Sequence, residues 1–532
     1  MSKPLRAWLG SPRGWGACLS LLYLLGSLAL LPVFRYMINP DGISYLSIAS
    51  RYLAGDWPGA INGYWGPLFS WLLVPLLALR IEPLLACKVL SILVGLATIP
   101  ALQALSLRFG LCGRLRAITL GALLPLLWLF TFSIVTPDFL TTCLLAWYFS
   151  LIFDARFTDR RRSAILCGML GGLAFFAKAY GFYFFLAHYT LAAALFVLSA
   201  EDAARRRAAV RNYALGLAVF AVLAGGWIYA LSDKYGGLTV ATSGAYNHSV
   251  MAPDSRGQPM LYQGFFAPAD EHATSIWEDP SALRGSTWSA TGSPRLLKYQ
   301  AGLVLHNGIL VVRHLSRHSF PALLVLAAFV LIGLRAGRRC LRPGGEALPL
   351  LSLLLFAGGY ALIVVEDRYL FVCLILLAFM GARLIQREAE RGILAGWRFT
   401  AAAFFLVLSI AAQPAVETAS HYRRARNVKL TQRLIVHLRH LTALRGTIAS
   451  NGEWTRTLSI AYQTGLRYFG VPGDTPSDQV RATLARLGVN FYFVWNGSPA
   501  EQKAFQGCPE ITGGTLNRLR VYQLAAPPPA GP

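Results

Sequence analysis

The sequence predicts an α-helical polytopic membrane protein of about eleven transmembrane helices, followed by a small C-terminal soluble α/β domain. Three observations predict this fold class. The first is composition. Of 532 residues, 55% are hydrophobic and only 14% are charged, where soluble globular chains carry about 45–50% apolar and about 25% charged residues. The second is that the apolar residues gather into runs long enough to cross about 30 Å of hydrocarbon. The third is that the loops between the runs alternate in charge.

The runs are 15–34, 84–107, 117–135, 139–153, 163–179, 182–199, 213–231, 319–335, 348–365, 369–385 and 396–412. One set of loops is basic, with blocks such as Arg160-Arg161-Arg162, Arg205-Arg206-Arg207 and Arg338-Arg339. The positive-inside rule places this set and the N-terminus in the cytoplasm. The other set holds Asp41, Asp138, Lys178, the long segment 232–318 and Glu366-Asp367-Arg368, and is expected outside. An odd number of spans puts the chain beyond 412 outside as well. Segments 66–80 and 296–312 read as short interfacial or half-inserted helices on the outer side. Lys3, Arg6 and Arg13 before an apolar run imitate a signal peptide, but no small-residue cleavage site follows, so an uncleaved first helix is expected.

The expected division is a transmembrane domain over 1–412 with outer loops 35–83 and 232–318, a soluble external α/β domain over 413–525, and a disordered tail over 526–532. In the tail domain, 417–443 has a helical pattern. Segments 446–450, 490–495 and 519–524 read as strands, and 454–468 and 476–487 as helices. The net charge of +24 would suggest nucleic acid in a soluble protein. Here it lies in short blocks between apolar runs, which points to membrane lipids and to no nucleic acid. No Walker-type loop supports ATP-driven transport, and no Cys/His spacing suggests structural zinc or a disulfide framework.

The outer loops carry the chemistry. The first runs from Asn39-Pro40-Asp41 through Tyr45, Gly55-Asp56-Trp57 and Asn62 to Leu68. Asp41 reads either as a helix cap or as a general base at the membrane surface. Thr136-Pro137-Asp138 repeats the pattern at another span end, and isolated acids at membrane depth default to function. Lys178 ends a Gly-rich run, either snorkelling or, with Arg368, binding phosphate. Glu366 is the carboxylate that would orient the cation. His188, inside an apolar run, reads as a helix–helix hydrogen-bonding residue.

These motifs, in this order, resemble the GT-C superfamily of membrane glycosyltransferases, in the branch containing protein O-mannosyltransferases and the lipid A aminoarabinose transferase. The resemblance rests on Asp41 with Tyr45 and Ala49, Gly55-Asp56-Trp57, Asn62 to Leu68, Thr136-Pro137-Asp138, the helix ending in Lys178, and Glu366 to Tyr369. It covers roughly residues 15–200 well and the later spans more loosely. It implies an enzyme that takes a sugar, hexosyl or pentosyl, from a polyprenyl-phosphate carrier and gives it to a lipid, glycan or protein acceptor on the external face. It implies Asp41 as the base with Asp138 beside it, in a bacterial-type inner membrane with the site facing the periplasm. One departure is that Trp65-Gly66-Pro67 stands where aminoarabinose transferases often carry Lys-Pro-Pro, so a cation near the carrier phosphate is missing.

The residues fit this chemistry independently. A phosphate leaving group needs charge stabilisation, for which Lys178 and Arg368 are the candidates, and one carboxylate deprotonates the acceptor. Back-side attack inverts the anomeric centre. Aromatic side chains suited to sugar rings are Tyr45, Trp65, Tyr246, His248, Tyr262, Phe265, Phe266, Trp277 and Trp288. The candidate cofactor is a divalent metal ion held by Asp41, Asp138 and Glu366. The alternative function is a transporter or flippase of a lipid-linked glycan, which predicts paired halves with broken helices; the sequence shows no such symmetry.

Overall fold

The computed structural model describes residues 12–255, 263–283, 288–441, 444–516 and 518–525. All eleven predicted apolar runs are helical. The helices are α1 (Pro12–Phe34), α2 (Pro40–Ala54), α3 (Pro67–Ala78) and α4 (Pro83–Arg108). Next come α5 (Gly113–Phe132), α6 (Asp138–Ile152), α7 (Arg161–Ala177), α8 (Tyr180–Ser199) and α9 (Ala203–Tyr235). After a long, mostly irregular segment with one short helix at Ser243–Val250 follow α10 (Pro294–His318), α11 (Ala322–Ala336), α12 (Ala347–Ala361), α13 (Phe371–Glu390) and α14 (Trp397–Leu441). Among the described residues seven of these, α1, α4, α5, α8, α9, α13 and α14, are long and apolar enough to cross a bilayer. The chain is an integral membrane protein.

The remaining runs are shorter. Helices α6 and α12 have 15 residues each, about 22 Å at 1.5 Å per residue, and α3 has 12. Helix α3 packs back on α2, where the Ser70 hydroxyl donates to the Tyr45 carbonyl at 2.9 Å. Segment 296–312 is not a short piece: α10 is a continuous helix of 25 residues, set at 105° to the helix after it. Asn307 does not interrupt it, because its side-chain amide donates across to the Ala361 and Ile363 carbonyls at 3.1 and 3.0 Å.

Within the bundle, packing relies on small residues and on paired polar groups, as expected where apolar contact alone gives no preference over lipid. A β-carbon on Gly168 of α7 would lie 2.2 Å from the Gly216 carbonyl of α9, so only glycine permits that approach. His188 of α8 links three helices, with the Tyr148 hydroxyl of α6 at 2.8 Å and the Ser352 hydroxyl of α12 at 2.7 Å.

The expected boundary at 412 falls inside a helix. Helix α14 runs for 45 residues with Pro414 in its interior. The switch from apolar to basic residues near Glu417 changes the surroundings the helix suits, not its propensity, since Ala, Arg, Leu and Gln all favour helix. Pro414 removes one backbone bond without ending it. The ring of Tyr422 lies 6.3 Å from that of Phe34, the last residue of α1, so α14 passes the end of the bundle near residue 422.

Beyond it lie β1 (Thr447–Ser450), α15 (Trp454–Thr464), β2 (Arg467–Tyr468), α16 (Val480–Arg486), β3 (Phe491–Trp495), α17 (Pro499–Ala504) and β4 (Leu519–Gln523). The sheet order is β2-β1-β3-β4, with β1 parallel to β2 and β3, and β4 antiparallel to β3. Strands β1 and β3 are buried along their whole length, which explains their unbroken apolar reading. The predicted helix 454–468 divides because Gly465, at φ 71°, closes α15 and turns the chain into β2. The segment before α10 is stitched to this sheet: the Phe266 amide donates to the Phe469 carbonyl and the Tyr468 amide to the Thr274 carbonyl, each at 2.7 Å. The expected disorder of 526–532 lies outside the described residues.

Candidate active site

Four loops between helices at one end of the bundle converge on a cavity of about 190 Å³. Asp41 occupies the first turn of α2. The cap position falls to Asn39, with Pro40 at the first helical position. The Asn39 side-chain oxygen accepts from the Val135 amide at 2.8 Å and so ties the first acidic loop to the second. The second loop delivers Asp138 at the start of α6. Lys178 stands between α7 and α8 with extended backbone. Arg368 sits in a short turn, Asp367–Leu370, ahead of α13.

Their side chains form one network. Arg368 Nη1 donates to Asp41 Oδ2 at 2.7 Å, and its Nε lies 2.8 Å from Glu366 and 3.8 Å from Asp138. Lys178 Nζ donates to Asp138 Oδ1 at 2.5 Å, and the Thr136 hydroxyl donates to Asp138 Oδ2 at 2.8 Å. The Lys178 ammonium also rests 3.6 Å from the centre of the Tyr369 ring, a cation–π contact. The three carboxylates that sequence reasoning offered to a metal are thus gathered around a guanidinium. Among the described residues no group of three or more His, Cys, Asp or Glu side chains is arranged to hold a metal ion. Each of the three carboxylates already has an oxygen against a fixed cation, Arg368 or Lys178.

Trp277 forms the roof. Its indole nitrogen donates to Asp41 Oδ1 at 3.1 Å. Its carbonyl accepts from the Trp65 indole at 3.0 Å and from the Ser44 hydroxyl at 3.2 Å. The Asn62 side chain folds the preceding turn, accepting from the Tyr64 and Trp65 amides at 2.9 Å and donating to the Glu278 carbonyl at 2.6 Å. Within Trp65-Gly66-Pro67 the glycine has a steric reason. A β-carbon on Gly66 would lie 2.5 Å from the Phe176 carbonyl, so glycine lets this loop reach the end of α7 just before Lys178.

Of the predicted residues, Asp41, Asp138, Lys178, Arg368, Glu366, Tyr45, Trp65 and Trp277 all line the cavity. Tyr246 is one layer behind, buried against the Tyr64 ring at 5.3 Å. His248 is elsewhere: its ring stacks on Trp288 at 4.4 Å, and its neighbour Asn247 faces the cavity instead. Phe265 and Phe266 serve the sheet edge; Tyr262 lies outside the described residues. Sequence reasoning missed Tyr64, Tyr180, Tyr360 and Tyr369 as lining residues. The signal for two of them was adjacency, Tyr64 to Trp65 and Tyr369 to Arg368.

The roof is held by a second charged cluster. Arg51 of α2 pairs with Asp270 at 2.7 Å, Glu278 at 3.4 Å and Asp56 at 3.6 Å. Burial pushes the Glu278 carboxyl up to about 7, against the opposing pull of Arg51 and of hydrogen bonds from Ser47 and Thr274. The folded state therefore favours the neutral acid. That contribution is complete below the ordinary carboxyl value near 4.5 and is lost as pH rises through about 7. Hydrogen exchange of residues 273–278, corrected for intrinsic rate, is expected to show stronger protection at pH 6 than at pH 8. Glu278→Gln is expected to flatten that difference; an unchanged pH profile in the variant would show that Glu278 is not its source.

No protein-family model matches the sequence, and no curated protein matches it. Solved structures do. ArnT from Cupriavidus metallidurans bound to undecaprenyl phosphate superposes with a TM-score of 0.54 at 14% identity, over 96% of this chain and 99% of that one. The Archaeoglobus fulgidus oligosaccharyltransferase in complex with zinc and sulfate superposes with a TM-score of 0.53 at 12% identity, over 89% of this chain and 67% of that one. The chain shares the fold of these two structures.

Proposed function

We propose that the protein transfers a sugar from a polyprenyl-phosphate carrier to an acceptor at the external face of the membrane, with inversion and with Asp41 as general base. The observation that carries this reading is the placement of two cations, Lys178 and Arg368, in one cavity with Asp41. The similar ArnT structure contains undecaprenyl phosphate, which supports a lipid-phosphate donor here.

In the proposed step, the acceptor hydroxyl oxygen bonds to the anomeric carbon as the bond from that carbon to the phosphate oxygen breaks. The bonding pair leaves on the carrier phosphate, and the hydroxyl proton passes to Asp41. Lys178 and Arg368 face the charge that grows on the phosphate in a cavity walled by aromatic rings, where fixed charges act more strongly than in water. Asp138 is only 5% exposed at its side chain, and its oxygens already accept from Lys178 and Thr136. Its proposed role is to hold the Lys178 ammonium in place. Glu366 orients Arg368 in the same way. Tyr45, Tyr64, Trp65 and Trp277 frame the sugar. The positive charge is supplied by side chains, so the step needs no metal ion. The acceptor, a lipid, glycan or protein, contributes only its hydroxyl.

The phosphate contact is testable without knowing the sugar. Polyprenyl phosphate is expected to raise the melting temperature of the detergent-solubilised chain in a concentration-dependent way, as a ligand of the folded state must, and polyprenol to leave it unchanged. Lys178→Gln is expected to remove most of the shift. Equal shifts by the alcohol and the phosphate would remove the basis for the donor assignment.

A further inference from the structure

From residue 418 to residue 452 the sequence contains seven Lys or Arg residues and no Asp or Glu. In the structure most of this stretch is the far half of α14. Arg423, Arg424, Arg426, Lys429 and Arg433 are exposed, and among the described residues none of them pairs with a carboxylate. Arg423, Arg426, Leu430, Arg433, His437 and His440 follow one another at intervals of three and four, so they share one helix face. All six are exposed, and the ridge they make is about 26 Å long. Its lower end is fixed by the ring contact between Tyr422 and Phe34, which puts Arg423 and Arg424 at the level where α1 ends. Exposed apolar side chains, Tyr422, Leu430 and Val436, are interleaved with the cations. Cations mixed with apolar groups on an exposed helix at the bundle's end match a surface that meets lipid headgroups, where apolar side chains enter the boundary and basic ones meet phosphate.

Position adds a second argument. This ridge lies at the Asp41 end of the bundle, which the charge pattern of the loops places outside, and the positive-inside rule depletes short external segments of Lys and Arg. The ridge runs against that bias.

We infer that the basic ridge of α14 is a docking surface for anionic phospholipid headgroups of the leaflet on the Asp41 side of the membrane. The consequence reaches the site through contacts already described. The Gln432 side chain bonds that of Gln463 at 2.8 Å, and Arg439 donates to the Gln463 carbonyl, so α14 holds α15. The sheet beside α15 holds the segment that carries Trp277 over Asp41. Lipid seating of α14 thus steadies the roof of the cavity. The inference does not depend on sugar transfer, and its test reads lipid, not activity.

Native mass spectrometry of the detergent-solubilised full chain, titrated with phosphatidylglycerol or phosphatidylcholine, provides that test. Wild type is expected to retain phosphatidylglycerol in preference. The variant Arg423→Gln/Arg424→Gln/Arg426→Gln/Lys429→Gln, with an unchanged melting temperature, is expected to lose roughly tenfold or more of that affinity, since each basic residue near a charged surface contributes about a fivefold factor. A control variant, Arg205→Gln/Arg206→Gln/Arg207→Gln, is expected to keep the affinity carried by the ridge. Equal retention of the two lipids, or full phosphatidylglycerol retention by the ridge variant, would overturn the inference. Displacement of phosphatidylglycerol by millimolar inorganic phosphate would also overturn it, in favour of a site for free phosphate.

Discussion

Asp41→Asn is expected to lower the rate of sugar transfer by about 10²- to 10⁴-fold, the usual range for removing a positioned general base. The amide keeps the shape of the side chain and an oxygen for the Trp277 indole. It loses the ability to take the acceptor's proton and the charge that faces Arg368 at 2.7 Å. In the proposed step donor binding depends on Lys178 and Arg368, so KM for the carrier is expected to change little while kcat falls. Initial rates in proteoliposomes, with a melting curve to confirm folding, separate the two. A folded variant that works at the wild-type rate would show that Asp41 is not the base.

Arg368→Gln is expected to cost activity and stability together. Losing a fixed positive charge aimed at a developing anion typically lowers kcat by about 10²- to 10³-fold. The same change strips the cation from Asp41 and Glu366; orphaning one partner of a fully buried pair costs about 3–5 kcal/mol, and the partial exposure of this network makes the loss smaller here. Arg368 serves those two carboxylates from different edges of its planar fork, a geometry that a lysine ammonium does not reproduce. Arg368→Lys is therefore expected to recover part of the stability and little of kcat. A melting temperature equal to wild type in Arg368→Gln would contradict the network described here.

The site was legible in the sequence to the extent that its charges were expensive. Asp41, Asp138, Lys178 and Arg368 each interrupt or border an apolar run, and a charge there has a desolvation cost that asks for a reason. The same argument could not sort the aromatic residues. A ring is at home in a wall, behind a wall or in a loop, so composition alone did not separate Trp277, which touches Asp41, from His248, which stacks on Trp288. The partner of the three acids was hidden for a related reason. Three acids on one side of a membrane suggest a cation, and the sequence does not say that the cation is Arg368. The strands of the C-terminal unit were readable because β1 and β3 are buried on both faces. The pairing of Tyr468 in β2 and of the adjoining Phe469 with Thr274 and Phe266, about two hundred positions earlier in the chain, left no local pattern to read. The continuity of α14 was hidden because a change from apolar to basic residues looks like a domain boundary, while the backbone responds only to helix propensity.

The proposed reaction breaks the bond between a sugar and its lipid phosphate in this cavity. The most direct measurement reconstitutes the wild-type chain, in buffer containing EDTA, with a radiolabelled polyprenyl-phosphate sugar and an extract of candidate acceptors, and follows both the label and the free carrier. Label is expected to leave the lipid, and free polyprenyl phosphate to appear in equal amount, in wild type and not in Asp41→Asn. Label that crosses the bilayer still attached to its carrier, with no free polyprenyl phosphate formed, would contradict it and identify a transporter.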